Sequence, residues 1–212
     1  MSVLRLLFFI LIVRPLVRVI LGMNVRHRER LAADGPVLVV ANHNSHLDTL
    51  VLMSLFPLRR LPRIHPVAAA EYFLRNRLLA WFARDLIGII PIDRRARLRA
   101  GDLFAGVTDS LDRGEVVILF PEGSRGDPER LGEFKTGIAH IAEAHPAVPV
   151  APVFLHGLGK ALPKGDWILV PFFCDVFIGE PFIWPGDRQG FMSELDSRMK
   201  ALAAEGEFSS WE

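Results

Sequence analysis

The sequence is poor in the features that most simply assign a chain to a class. It has 1 cysteine in 212 residues, which rules out an intramolecular disulfide and a multi-cysteine zinc site. That cysteine, Cys174, sits in an apolar run and reads as core, which fits a reducing compartment. Neither sign of charge dominates: 25 Lys and Arg oppose 24 Asp and Glu, for a net +1, with Arg greatly outnumbering Lys. The global polycation that argues for nucleic acid is missing, so no nucleic-acid partner is expected. Internal repeats and low-complexity tracts are absent. So is a long unbroken apolar run: the longest at the N-terminus, Leu6 to Val13, is short for a membrane span.

What the chain does have is apolar content. Half of its residues are hydrophobic, enough for one sizeable α/β domain or a domain with a short appendage. The first stretch, Val3 to Gly22, reads "VLRLLFFILIVRPLVRVILG", interrupted by Arg5, Arg14, Pro15 and Arg18. A straight helix of this length could cross a core of roughly 30 Å, but an arginine near mid-span costs about 2.5 to 3.5 kcal/mol or more. Arg14 and Arg18 lie four apart on one helical face. The segment is therefore expected to lie in the membrane interface, guanidinium groups among lipid phosphates and Leu and Phe in the acyl region. The alternatives are a span, a core helix and a cleaved signal, the last weakened by the lack of a small-residue cleavage site. The polar stretch "RHRERLAADGP", Arg26 to Pro36, marks a boundary. This predicts a hydrophobic membrane-associated segment over 1–25 and an α/β domain over 26–212.

Within that domain, short apolar runs alternate with amphipathic ones. Strands are expected at Val37–Ala41, Pro66–Ala70, Ile87–Ile92, Val116–Phe120 and Val148–Leu155. A further strand, Ile168–Ile178, is marked by Pro171 and Asp175 as an edge or a bend. Helices are expected at Leu47–Phe56, Glu71–Arg84, Leu98–Arg113, Phe134–Ala144 and Phe191–Ala204. This alternation predicts an α/β fold, its sheet mostly parallel or mixed and flanked by helices. In such sheets, sites form just beyond the C-terminal ends of strands.

Four places meet that rule. "ANHNSHLD", Ala41 to Asp48, follows the first strand of the domain, with Ser45 as a helix cap. His43 and Asp48 are five apart, about 140° apart on a continuous helix. They meet only if a strand-to-helix turn folds the histidine back. A carboxylate on one imidazole nitrogen would then fix the tautomer and leave the other as a base. Three other readings stand beside this: a metal site of His43, His46 and Asp48, Ser45 as a nucleophile outside any Gly-x-Ser-x-Gly elbow, or a plain polar cap. "GIIPIDRR", Gly88 to Arg95, ends a strand in guanidinium groups that could grip a phosphate. "FPEGSRG", Phe120 to Gly126, permits a tight turn with exposed backbone N–H groups beside Arg125, an anion cradle. There Glu122 is expected to accept from an arginine or a substrate hydroxyl. "VPVAPVFLHG", Val148 to Gly157, reads as a buried, pocket-shaping strand end.

Together and in this order, the four places resemble the blocks of the glycerolipid acyltransferases, the family of 1-acylglycerol-3-phosphate acyltransferases. Those blocks have the form N-H-x-S-x-x-D, G-x-x-x-I-D-R, F-P-E-G-[TS]-R and V-P-[IV]-x-P-V. Here they stand at Asn42 to Asp48, Gly88 to Arg94, Phe120 to Arg125 and Val148 to Val153, with echoes in "FKTG", Phe134 to Gly137, and "VFIGEPF", Val176 to Phe182. Pro91, Ser124 and Gly126 depart from common family residues without removing the chemistry. The resemblance implies His43 as general base, Asp48 as its orienter, and Arg94, Glu122, Gly123, Ser124 and Arg125 as acceptor-binding residues. It also implies an acyl-CoA or acyl carrier protein thioester as donor, a lysophospholipid as acceptor, no metal or other cofactor, and attachment to the cytoplasmic face of the cell membrane. Relatives acylate other lipids, including lyso-ornithine lipid, so the acceptor stays open. Readings from other classes are a metal-dependent hydrolase using His43, His46 and Asp48, and a non-catalytic lipid-binding module.

Overall fold

Every residue of "VLVVA", Val37–Ala41, is buried, and that fixes the architecture, because a strand apolar on both faces must be covered on both. A computed structural model describes residues 3–31, 34–73, 76–95, 100–126, 131–161, 170 and 172–206. In chain order the strands are β1 (Met23–Arg26), β2 (Val37–Ala41), β3 (Ile64–Ala69), β4 (Ile90–Ile92), β5 (Val116–Leu119), β6 (Val150–His156) and β7 (Cys174–Ile178). The helices are α1 (Val3–Phe8), α2 (Leu47–Ser54), α3 (Ala70–Phe73), α4 (Arg77–Trp81), α5 (Ala100–Leu103), α6 (Ala105–Asp112), α7 (Gly137–Ala144), α8 (Leu158–Ala161) and α9 (Arg188–Glu205).

The strands form one sheet in the order β1-β7-β6-β2-β5-β3-β4. All neighbours are parallel except β6 and β7, which are antiparallel. The sheet is thus mixed and flanked by helices, as the alternation predicted. Along β2, Val37, Val39 and Ala41 enter one core layer and Leu38 and Val40 the other. The first layer is completed by the N-terminal segment and α2, the second by α6, α7 and α9.

Several elements differ from expectation. The expected helix over Glu71–Arg84 is broken: α3 and α4 are separate, and π-helical turns follow at Phe82–Ile87. Helix α7 begins only at Gly137, and the Lys135 N–H ahead of it bonds to Pro121 O at 3.0 Å. The last expected strand is not an edge, since β1 lies outside β7; Ile168, Leu169 and Pro171 fall outside the described residues. Pro91 does sit on an end strand, β4, where a missing N–H costs no ladder bond.

The N-terminal segment is helical from Val3, with wider π-helical turns at Phe9–Val13 and Leu16–Ile20 on either side of Pro15. Arg5, Phe9, Val13, Val17 and Leu21 are buried, a strict spacing of four. On a straight α-helix each such step drifts by about 40°. The π-helical turns absorb that drift and keep one face inward. Arg5 Nη2 donates to Ile64 O at 3.1 Å and Ile87 O at 2.8 Å, fastening the segment to β3 and to the turn before β4. The expected division at residue 25 falls inside β1, whose residues pair with β7, and the segment before it shares the first core layer.

Candidate active site

Strands β2, β5, β3 and β4 are parallel neighbours, so the turns that follow them gather at one end of the sheet. His43 follows β2, Glu71 follows β3, Arg94 follows β4 and Glu122 follows β5.

The turn after β2 is shaped by side chains standing in for backbone. Asn42 Nδ2 donates to Leu155 O at 2.9 Å, and its Oδ1 accepts from Leu155 N at 2.7 Å. The amide extends the β2–β6 pairing and frees the main chain to turn. Asp48, fully buried in the first turn of α2, then collects what the turn exposes. Its Oδ2 accepts from Asn44 N at 2.7 Å, Ser45 N at 2.8 Å and His43 Nδ1 at 2.8 Å. This is the fold-back that the five-residue spacing required. An oxygen already accepting from two backbone amides accepts from the ring as well, so Nδ1 carries the hydrogen and Nε2 is left with its lone pair. Nε2 makes no hydrogen bond with the described residues, and the His43 side chain keeps 21% exposure.

The other residues of this stretch take lesser parts. Ser45 is buried and its Oγ accepts from Leu47 N at 3.3 Å, so the cap stands one residue further from the helix than usual and is not offered as a nucleophile. His46 is exposed along part of its surface; partial desolvation of the ring by its neighbours, then the nearby Arg125 and His43, hold its pKa below the ordinary histidine value. Among the described residues no three His, Cys, Asp or Glu side chains gather as a metal site.

The FPEGSRG turn is stitched to this histidine. The His43 ring stacks on Phe120 with centroids 4.2 Å apart and planes 20° apart. His43 N donates to Glu122 Oε1 at 3.3 Å, and Gly126 N donates to His43 O at 2.9 Å. Among the described residues, Glu122 thus receives the histidine backbone and no arginine. It is 7% exposed, and its Oε2 has no partner among the described residues. Burial pushes its carboxyl above the ordinary glutamate value, against the backbone N–H groups of His43 and Gly132. Gly123 has φ +73°, the left-handed region that favours glycine. Ser124, exposed, lines a cavity of about 560 Å³ with Glu122, Gly126, Gly132, Phe134 and Lys135. Arg125 is half-buried.

Arg94 arrives here already engaged. Its Nε and Nη2 both donate to Glu71 Oε1, at 2.9 Å and 2.7 Å, and its Nη1 donates to Gly123 O. Glu71, bonded to backbone of its own turn and then to Arg94, is held below the ordinary glutamate range. Sequence reasoning passed over Glu71, whose only signal was its place directly after a strand. Lys135 stands within FKTG, a stretch whose pattern alone assigns it no role.

A buried carboxylate aligning a histidine at the C-terminal end of a mostly parallel sheet defines a site able to draw a proton from a hydroxyl. A family model described as Acyltransferase matches residues 22–156, and the chain belongs to that acyltransferase family. It is 33% identical over 135 residues to 1-acyl-sn-glycerol-3-phosphate acyltransferase BAT2, chloroplastic, of Brassica napus, covering 64% of this chain and 37% of that one. To LPAT1, chloroplastic, of Arabidopsis thaliana it is 32% identical over 145 residues, covering 68% and 38%. To the Pseudomonas aeruginosa 1-acyl-sn-glycerol-3-phosphate acyltransferase it is 28% identical over 194 residues, covering 90% and 71%. The chain therefore spans less than two fifths of the two plant relatives. In fold it is similar to the crystal structure of the 1-acyl-sn-glycerophosphate (LPA) acyltransferase PlsC from Thermotoga maritima, with a TM-score of 0.77, 23% identity, and coverage of 98% of this chain and 80% of that one.

Proposed function

We propose that the protein is a membrane-associated O-acyltransferase that moves a fatty acyl group from acyl-CoA or acyl carrier protein to the free hydroxyl of 1-acylglycerol-3-phosphate, giving phosphatidate. The observation that carries this reading is the 2.8 Å bond from His43 Nδ1 to Asp48 Oδ2, with Nε2 left open. His43 Nε2 takes the hydroxyl proton as the oxygen attacks the thioester carbonyl carbon. The tetrahedral adduct collapses with cleavage of the carbon–sulfur bond, and the departing thiolate recovers the proton. Asp48 holds the ring in the required tautomer throughout. Base catalysis of this kind contributes roughly 10² to 10⁴-fold, and alignment of the two substrates supplies more. Glu122, Gly123, Ser124 and Arg125 line the acceptor end, Arg94 serves it by fixing the Gly123 turn, and no metal or acyl-enzyme is needed.

The membrane part of the proposal is supported by the outward face of the N-terminal segment, where Val3, Leu4, Leu7, Leu11 and Val19 are exposed. Nearby, Phe8 packs edge-to-face on Phe82, centroids 5.6 Å apart, in the turns that follow α4, where Leu78 and Trp81 are also exposed. No helix among the described residues is long and apolar enough to cross a membrane; it is the exposed apolar face that supports a surface lying in the membrane interface. The test is thiol release and lipid product formation by the purified chain, given acyl thioester and a lysolipid panel that includes lyso-ornithine lipid. His43→Ala is expected to lose at least about 10²-fold in kcat; intact transfer by that variant defeats the mechanism.

A further inference from the structure

The segment leading into α7 supplies a cation that the motif blocks do not name. The Lys135 backbone is tied to the turn after β5 through its N–H on Pro121 O. Its side chain then lies across Gly123: a Cβ added there would fall 2.8 Å from Lys135 Nζ and 3.1 Å from Cε. Two cations therefore converge on Gly123, Lys135 on its Cα side and Arg94 at its carbonyl. They differ in what holds them. Arg94 is bound to the Glu71 carboxylate through two donors, whereas the Lys135 ammonium makes no ion pair or hydrogen bond with the described residues. Lys135 also lines the 560 Å³ cavity, whose opposite character comes from two carboxyl groups, the buried Glu122 and the exposed Glu133. The unpartnered Glu122 Oε2 lies 3.1 Å from where a Cβ of Gly126 or Gly132 would stand, and both glycines are in the cavity wall. The cavity thus sets an ammonium that pairs with no carboxylate among the described residues beside hydrogen-bond acceptors, a match for a ligand that carries both phosphate and hydroxyl.

We propose that Lys135 binds a phosphate group of a substrate in this cavity, and that Arg94 braces the Gly123 turn instead of carrying that phosphate. The inference rests on the acyltransferase reading. An anion gains most from a cation with no carboxylate to displace, and at Arg94 it must compete with Glu71. Two substrates carry phosphate, the acceptor monoester and the CoA donor.

The experiment compares wild type, Lys135→Ala and Lys135→Arg on lysophosphatidate against uncharged monoacylglycerol, and on acyl-CoA against acyl-pantetheine, which lacks the phosphates. Lys135→Ala is expected to raise KM for a phosphate-bearing substrate about tenfold or more, leaving kcat and the phosphate-free counterpart unchanged. Lys135→Arg restores most of the loss. A rise confined to lysophosphatidate assigns the acceptor phosphate, and one confined to acyl-CoA assigns the donor. Equal KM values in wild type and Lys135→Ala, or a rise indifferent to phosphate, overturn the proposal. Absence of transfer by wild type defeats the acyltransferase reading instead. Calorimetric binding of glycerol 3-phosphate and CoA then decides the lysine separately: affinity for either lost in Lys135→Ala supports it, and unchanged affinity for both overturns it.

Discussion

At the scale of single residues, Glu122 offers a test independent of turnover. Burial raises its carboxyl pKa in the fold, so the folded protein holds a proton that the unfolded chain gives up at about pH 4.3. The stabilisation from that proton is complete below the unfolded value and is lost as pH rises through the raised folded value. Glu122→Gln removes the ionisation and is expected to flatten the decline of Tm with pH above about 4.3, measured by thermal melts across a pH series. An unchanged slope contradicts the burial argument. His43 and Asp48 were legible in the sequence because their partnership is local, set by a turn that two backbone amides and one carboxylate close. Glu71 and Lys135 were not. Glu71 meets Arg94 across 23 positions, through the parallel pairing of β3 with β4, and no spacing rule in the sequence encodes which two loops the sheet brings together.

Among the elements, the N-terminal helix has one face buried in the core and one exposed. Phe9 is buried and Leu11, two positions on, is 66% exposed. Phe9→Ala is expected to cost about 3 to 5 kcal/mol of stability through the cavity it leaves, read from denaturant unfolding. Leu11→Ala should stay within about 0.5 kcal/mol while weakening sedimentation with anionic vesicles. Vesicle binding unaffected by Leu11→Ala speaks against the interfacial role. The sequence revealed that this stretch is apolar between its arginines but not that one side of it is covered by protein. Arg5 explains why: a charge amid leucines reads as a surface group until Ile64 O and Ile87 O, both far along the chain, are seen to receive it.

For the whole molecule, the five strands that reach the active-site end of the sheet or lie beside it could be read from their apolar runs, with bounds shifted by a few residues. Strand β1 could not. "MNVR" is half-exposed at alternate positions, and only its pairing with β7 makes it a strand. Because the segment before it fills the first core layer, removing residues 1–22 strips Phe9, Val13, Val17 and Leu21 from the interior. At roughly 1.5 to 3 kcal/mol for each side chain, the loss rivals the about 5 to 15 kcal/mol that holds a typical domain together. The truncated chain is expected to show no cooperative thermal transition by circular dichroism; a sharp transition there refutes the integral role of the segment.

The pairing of β1 with β7 also sets a timetable. Asn24 and Asp175 are bonded side chain to side chain across 151 positions. At about 5 to 20 residues per second of synthesis, the first strand waits roughly 8 to 30 seconds for its partner to leave the ribosome. During that interval the inward face of the N-terminal helix has no completed sheet to cover it, and both of its faces are apolar. On the proposed reading, in which the finished protein works at a membrane surface, the order of translation would present this apolar segment to the bilayer before the sheet closes over it.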